Sequence, residues 1–365
     1  MQHVVDPELL AGLLRSLAGE ALPRFGDGKD REKIGELIAV DGTLLPALPR
    51  MAWAIWQNPQ NRAGKLHLEF NVWRQIPVEF TVTNGNGNER AVWKSKLKAG
   101  ACYVNDRGYS HDYRVIKEVQ KAGAHHVLRL YNNSLITRLE EPRTLTQADR
   151  EAGVFEDVKV RLGNDEDGPQ GRLVRVEKDG HTFLLFTNLE DIEAELVSLI
   201  YRCRWQIELF FKWIKCVLGC RHWLAESQAG VTIQVYCALI ASVLLVLWTG
   251  SRPTKRQWET LQLYWMGWVT LEELQARLLP RKKSAAARSA IFCLAGRDGL
   301  RLPSSKQSPL PLLLGSRFPR PHSPRRLLFY TKHFSCRTLL ARRFLTAFSG
   351  DSNSDQISPS CVAKH

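Results

Sequence analysis

Tyr201-Arg202-Cys203-Arg204-Trp205-Gln206-Ile207-Glu208-Leu209-Phe210-Phe211-Lys212-Trp213-Ile214-Lys215 is the stretch on which the reading of this chain turns. Ile207, Phe210, Phe211 and Ile214 recur at helical spacing and offer an apolar flank that can pack on a sheet. Tyr201, Arg204, Glu208 and Lys215 are separated by three, four and seven residues, so all four point to one side of a helix. That side carries an acid, two bases and a phenol. Two readings stay open on this stretch alone. One is a polar stripe aimed at a site; the other is a solvated face held by Arg204–Glu208 and Glu208–Lys212 pairs, each contributing only a few tenths of a kcal/mol. The helix is predicted to run unbroken from about Asp191 to Leu218.

Upstream, the apolar run Ile34 to Val40 leads into Asp41-Gly42-Thr43 and reads as a buried strand with Asp41 at its C-terminal end. Leu66 to Val72 and Ile76 to Val82 form a predicted hairpin about Trp73-Arg74-Gln75. A short helix is predicted within Glu89 to Lys98, then a strand from Ala101 to Asn105 that delivers Asp106. Ser110 is the expected cap of a helix from His111 to Lys121, and His126 to Leu130 the next strand. Asp41 and Asp106 thus stand at the ends of two strands, and neighbouring strands lie about 4.8 Å apart. Carboxylates brought that close repel unless a cation lies between them, and hard oxygen donors favour magnesium or manganese. The alternative is that each Asp caps a turn.

Further out, Asp6 and Pro7 open a helix whose apolar face is Leu9, Leu10, Leu13, Leu14 and Leu17, and Phe25 to Lys33 reads as a polar linker. Residues 131–190 become charged and β-prone, with strands predicted at Val154 to Leu162, Arg172 to Glu177 and Thr182 to Thr187. They read as a β-rich insertion. Asn164-Asp165-Glu166-Asp167-Gly168 lacks the remaining ligands of a calcium loop and reads as a solvated turn. Gly230 to Gly250 is free of charge and long enough to span a bilayer, but it contains Thr232, Gln234, Cys237 and Ser242 and stands alone, so a core helix is expected.

The chain has 365 residues, 44% of them apolar, which excludes wholesale disorder. Its net charge of +14 points to a polyanionic partner, although residues 303–365 supply +8 of that and leave the remainder mildly basic. Those last residues hold 7 of the 17 prolines and show no sustained periodicity, so a disordered tail is expected there. Eight cysteines without paired spacing, and no secretory leader, point to reduced thiols in the cytoplasm. Cys216, Cys220 and His222 read as helix packing rather than a zinc site.

The spacing Tyr201-x2-Arg204-x3-Glu208-x6-Lys215 resembles the signature of the DDE insertion-sequence transposases of the insertion-sequence-four type. Val40-Asp41-Gly42-Thr43 and Val104-Asn105-Asp106-Arg107-Gly108-Tyr109 resemble the segments bearing that family's first and second acids, and the likeness covers about residues 34–250. The resemblance implies an α/β fold with a ribonuclease H-like mixed sheet flanked by helices, interrupted by a mainly β insertion. It further implies that Asp41, Asp106 and Glu208 are catalytic and bind two Mg2+ or Mn2+ ions, while Tyr201, Arg204 and Lys215 hold DNA phosphates. The expected function is metal-dependent strand cleavage and strand transfer by a homodimer on double-stranded DNA, at terminal inverted repeats and target, with no membrane partner. The alternative is an inactive DNA-binding remnant that regulates an intact enzyme. The expected plan is a truncated N-terminal region at 1–33, a catalytic core at 34–130 and 191–250 around the insertion at 131–190, a helical segment at 251–302 and the tail at 303–365. Phe155, Phe183 and Phe186 of the insertion receive no function, since alternating apolar positions belong to strand cores.

Overall fold

The N-terminal signal behaves as its chemistry dictates, because the Asp6 carboxylate accepts from the Glu8 amide and starts helix α1 (Pro7–Glu20). In this computed structural model residues 5–278 are described, apart from 25, 27, 217–222 and 251–253. The expected tail, residues 279–302 of the expected helical segment, and Cys220 and His222 lie outside the described residues. The buried face of α1 is Ala11, Leu14 and Ala18, while Leu9 is 72% exposed. The expected leucine stripe is therefore rotated, because small alanines allow close approach to helix α8 (Gln228–Thr249) and strand β4 (Ile76–Asn84). The predicted linker holds a short helix, α2 (Gly28–Ile34).

Between these, the chain forms β1 (Glu36–Pro46), β2 (Ile55–Trp56), β3 (Asn58–Asn71), helix α3 (Glu89–Lys94), β5 (Ala101–Asn105), a 3-10 turn at Arg107–Tyr109, α4 (Tyr113–Lys121) and β6 (His125–Arg129). The cap of α4 is Asp112, whose side chain accepts from the Arg114 amide. Ser110, the expected cap, instead donates to the carbonyls of Arg107 and Arg129 at 2.9 and 2.8 Å and pins the turn after Asp106 to β6. Residues 131–190 give β7 (Ile136–Arg138), the one-turn helix α5 (Gln147–Glu151), β8 (Val154–Leu162), β9 (Gln170–Lys178) and β10 (His181–Thr187). Asp167, in the turn between β8 and β9, pairs with Lys117 at 2.7 Å.

One sheet takes in all of these strands in the order β2-β3-β1-β5-β6-β10-β9-β8-β7, with β4 also on β3. β4, β3 and β1 are antiparallel neighbours, and β1, β5 and β6 are parallel. This is the ribonuclease H-like mixed sheet flanked by helices that the resemblance implies. The strands of residues 131–190 extend it through β6 and β10 rather than building a separate layer. Among the described residues one apolar cluster accordingly runs from Ile38, Trp93 and Ile116 to Val158, Leu173 and Phe186.

Side-chain alternation assigns the two faces of the sheet. Ile38, Val40, Ala101 and Tyr103 face the core shared with α3 and α4. The intervening residues of β1 and β5 face α6 (Ala194–Cys203) and α7 (Trp205–Cys216), which replace the predicted single helix. The break falls at Arg204. There the amide of Arg204 bonds Tyr201 O at 3.2 Å and the amide of Ile207 bonds Arg204 O at 3.1 Å, a three-residue closure that tightens the helix locally.

The uncharged helix α8 is, by length and composition, apolar enough to cross a membrane. It packs on α1 and β4, buries Val231, Val235, Leu239, Val243 and Val246, and sets Tyr236 against Phe80 with ring centroids 4.3 Å apart. Gly250 ends it in a left-handed conformation. Helices α9 (Lys255–Trp265) and α10 (Leu271–Leu278) follow. The chain divides into one unit holding residues up to Thr260 together with Gln275–Leu278, and a second that holds Leu261–Leu274 among the described residues.

Gly153, between α5 and β8, has φ +85°, and a β-carbon built on it would lie 2.4 Å from the Glu177 carbonyl oxygen. Both the left-handed backbone and the contact with fixed backbone oppose any side chain. Gly153→Ala is expected to destabilise the protein by about 1–3 kcal/mol, read by urea denaturation.

Candidate active site

The register of β1 on β5 places the first two acids side by side. Glu36 pairs with Ala101 and Ala39 with Val104, so continuing the ladder by two residues brings Asp41 opposite Asp106. The sequence separation of the two acids is thus the offset of the parallel ladder. Asp41 does not end its strand as expected; β1 continues to Pro46, where β3 supports it, with Asp41 opposite Leu68. The parallel partner β5 stops at Asn105, which leaves the edge beyond it open to side chains. By alternation Asp41 faces α7, while Gly42 faces α3.

The stripe on α6 and α7 points at these strands rather than at solvent. Tyr201 donates to Asp106 Oδ1 at 3.0 Å. Arg204 donates to Glu208 Oε1 at 2.6 Å and lies 3.8 Å from Asp41 Oδ2. Lys215 donates to Thr43 Oγ1 at 2.6 Å, two residues beyond the first acid. Of the two pairs expected for a solvated face, Arg204–Glu208 forms, and no Glu208–Lys212 bridge exists among the described residues. One guanidinium therefore reaches the carboxylates of Asp41 and Glu208 together, and its charge is felt at Asp106.

The electrostatics follow from this crowding. Burial pushes the Asp41 carboxyl up to about 6; the Gly42 amide and Arg204 pull it down, and the negative charges of Glu89 and Glu208 push it further up. Burial acts the same way on Asp106, but the Arg107 amide, Arg204, Tyr201 and Arg129 together outweigh it and hold that carboxyl below its ordinary value. Burial and the adjacent Asp106 raise the Tyr201 phenol to about 12, so it stays a hydrogen-bond donor throughout the physiological range.

Several neighbours were not singled out by sequence reasoning. Glu89, at the start of α3, pairs with Lys65 at 3.1 Å, and a β-carbon on Gly42 would lie 2.7 Å from its carboxyl. Its charge also acts on the buried Tyr109 hydroxyl, which follows the second acid, so Glu89 lies close to the segments that carry both acids. Arg129 stands 4.0 Å from Asp106 Oδ1 and lies over the Phe183 ring, with its guanidinium carbon 4.7 Å from the centroid. Phe183 is thereby part of the wall beneath Tyr201, with ring centroids 6.2 Å apart, whereas Phe186 is fully buried core. Local patterning could not have found Glu89 or Arg129, whose roles come only from the ladder that brings distant strands together.

In hard-donor chemistry the three acids suit a divalent cation. As placed, no three carboxyl, imidazole or thiol groups among the described residues are close enough to share one ion; Arg204 stands among the acids as their counter-charge.

Residues 32–244 match the family described as "Transposase DDE domain". Among curated proteins the chain is similar to the putative transposase y4zB of Sinorhizobium fredii, 30% identical over 220 residues, covering 59% of this chain and 61% of that protein. It is also similar to the putative transposase for insertion sequence element IS4SA of Synechocystis, 26% identical over 223 residues, covering 58% of this chain and 60% of that one. The chain thus spans about three-fifths of the length of these relatives. A cryo-EM structure of a piggyBac transposase synaptic complex with hairpin DNA aligns at 12% identity and a TM-score of 0.39 over 76% of this chain and 61% of that one, a likeness that carries no argument. The family match takes in Asp41, Asp106, the strands between them and the whole Tyr201 to Lys215 stretch, and the chain belongs to the DDE transposase domain family.

Proposed function

We propose that this chain is a DNA transposase that cleaves and joins strands at insertion-sequence ends with the help of divalent metal, using Asp41, Asp106 and Glu208 as its catalytic and metal-binding acids. The observation that carries this reading is the approach of Asp41 and Glu208 to one guanidinium, with Arg204 at 2.6 Å from Glu208 and 3.8 Å from Asp41, while Asp106 stands opposite Asp41 in the ladder and accepts from Tyr201 at 3.0 Å. Arg204, the Gly42 and Arg107 amides, Tyr201 and Arg129 together offset the charge of these acids, and burial leaves Asp41 with a raised pKa.

The fit to Mg2+ or Mn2+ lies in the donor set, all carboxylate oxygens. When bound, a pair of such ions supplies Lewis-acid activation of the attacking oxygen and neutralises charge on the leaving oxygen of an in-line displacement at phosphorus. The chain's own residues do the rest. Arg204 holds Glu208 and Asp41 in place before a cation arrives, then turns its fork of donors to a phosphate. Tyr201, held neutral, donates a hydrogen bond beside Asp106, and Lys215 brings a point charge next to Thr43. The partner is double-stranded DNA, terminal repeat and target, bound by a homodimer in the cytoplasm; the packing of α8 onto α1 and β4 supports a soluble chain. The full set of acids favours this reading over an inactive DNA-binding remnant.

The test is nicking of supercoiled plasmid and joining of a terminal-repeat duplex with Mg2+ or Mn2+. Asp106→Asn and Glu208→Gln are each expected to reduce both by about a thousandfold or more while DNA binding persists. Nicking that survives in both variants overturns the assignment.

A further inference from the structure

Beside the acids the surface opens into a basic trough. A cavity of about 440 Å³ is lined by Lys65, Glu89, Arg90, Gly108, His111 and Tyr131, and so begins next to Gly42 and Asp106. It continues, through shared walls at Asn88 and Arg90, into a second cavity of about 460 Å³ between α3 and α4. Lys94, Arg114, Lys117 and Lys121 line that second part. Together the two hold six Lys and Arg side chains against three carboxylates, Glu89, Asp112 and Glu118.

The pairing leaves charge to spare. Arg114 is bonded to Asp112 through two nitrogens, Lys94 lies 3.5 Å from Glu118, Lys65 3.1 Å from Glu89 and Lys117 2.7 Å from Asp167. Arg90 and Lys121 have no carboxylate within 4.0 Å among the described residues. Lys94, Arg114 and Lys121 are exposed, and at the mouth Arg107 covers the Tyr131 ring at 5.7 Å. A surface rich in cations, with an aromatic at its entrance, suits a phosphodiester backbone.

We infer that this trough over α3 and α4 carries the sugar-phosphate backbone of duplex DNA away from the three acids, a binding surface separate from Tyr201, Arg204 and Lys215. The inference rests on the proposed function for its choice of DNA as the polyanion. Its cations contact phosphate and read no base, so binding through it is independent of sequence and steeply salt-dependent.

The experiment measures binding of a fluorescein-labelled duplex of mixed sequence to the full chain at several salt concentrations, alongside Mn2+-dependent plasmid nicking. Arg90→Ala, Lys94→Ala and Lys121→Ala are combined in one variant, and Arg15→Ala, Lys29→Ala and Lys178→Ala, outside the trough, in a second with the same charge change. The trough variant is expected to bind about 10- to 100-fold more weakly with a salt slope smaller by about two to three, and the second variant to lose less than about threefold. Equal losses in the two variants, or none in the first, overturn the trough while leaving the transposase reading intact. A wild-type chain that binds through the trough but nicks no DNA upholds the trough and overturns the transposase reading; one that binds no duplex overturns both.

Discussion

Asp41→Asn is expected to cut DNA nicking by about a thousandfold or more and, at the same time, to raise the melting temperature of the metal-free protein at about pH 8. The two effects have one cause. Burial and the negative charges of Glu89 and Glu208 hold the Asp41 carboxyl at about 6, above its ordinary 3.8. A group whose pKa is raised on folding contributes stability that is present below its unfolded pKa and lost as pH climbs through the folded value. The metal-free protein therefore gives up stability between about pH 4 and pH 6, and above that window it carries an ionised, crowded carboxylate. Asparagine has no such charge and can still accept the Gly42 amide, which lies 2.8 Å from Asp41 Oδ1. The gain at high pH is expected at about 1–3 kcal/mol and should vanish below about pH 4. Adding Mn2+ should raise the wild-type melting temperature and leave that of the variant nearly unmoved. A variant that melts at or below wild type at both pH values sinks this account of the site's electrostatics.

Arg172→Met is expected to be the most destabilising single change away from the acids. Arg172 and Asp157 are 1% and 5% exposed, and the guanidinium makes two bonds to the carboxylate at 2.5 and 3.2 Å. Its remaining nitrogen donates to the carbonyls of Leu189 and Ile192, both at 2.8 Å. Removing one partner leaves a buried charge uncompensated and two carbonyls without a donor, at a cost of about 3–5 kcal/mol. For a domain of this size the melting temperature should fall by roughly 6–20 °C. Replacing Asp157 by Leu in the same protein should recover much of the loss, because an apolar pair needs no desolvation of charge. The segment Leu189 to Ile192 leads directly into α6, which carries Tyr201. Loss of activity at temperatures where Arg172→Met remains folded would show that this anchor also sets the site's geometry. If thermal melts of the single variant match wild type, the buried pair does not anchor the chain entering α6.

Sequence and structure divide the explanation along a physical line. Strand β5 and strand β8 were legible to the residue, because a short apolar run ending at Asn105-Asp106 and a β-prone run held between Gly153 and Gly163 specify strands through local chemistry alone. The Tyr201, Arg204, Glu208 and Lys215 stripe was legible for the same reason, since helical spacing is a local property and survives even the tightened turn at Arg204. The orientation of that stripe was not. A solvated face and a buried site share one pattern, and only the packing of α7 against β1 sends Arg204 to Asp41.

Composition and spacing by themselves determined that the chain is a basic α/β protein carrying a polar stripe at helical spacing, whose pattern resembles a family's signature. Tertiary structure alone decided that Asp41 and Asp106 are neighbours, that Glu89 and Arg129 stand beside them, and that residues 131–190 prolong one sheet instead of forming their own. These outcomes depend on strand register and on contacts between residues far apart in the chain. Such contacts are fixed by the collective burial of a shared core, which no stretch of sequence contains on its own.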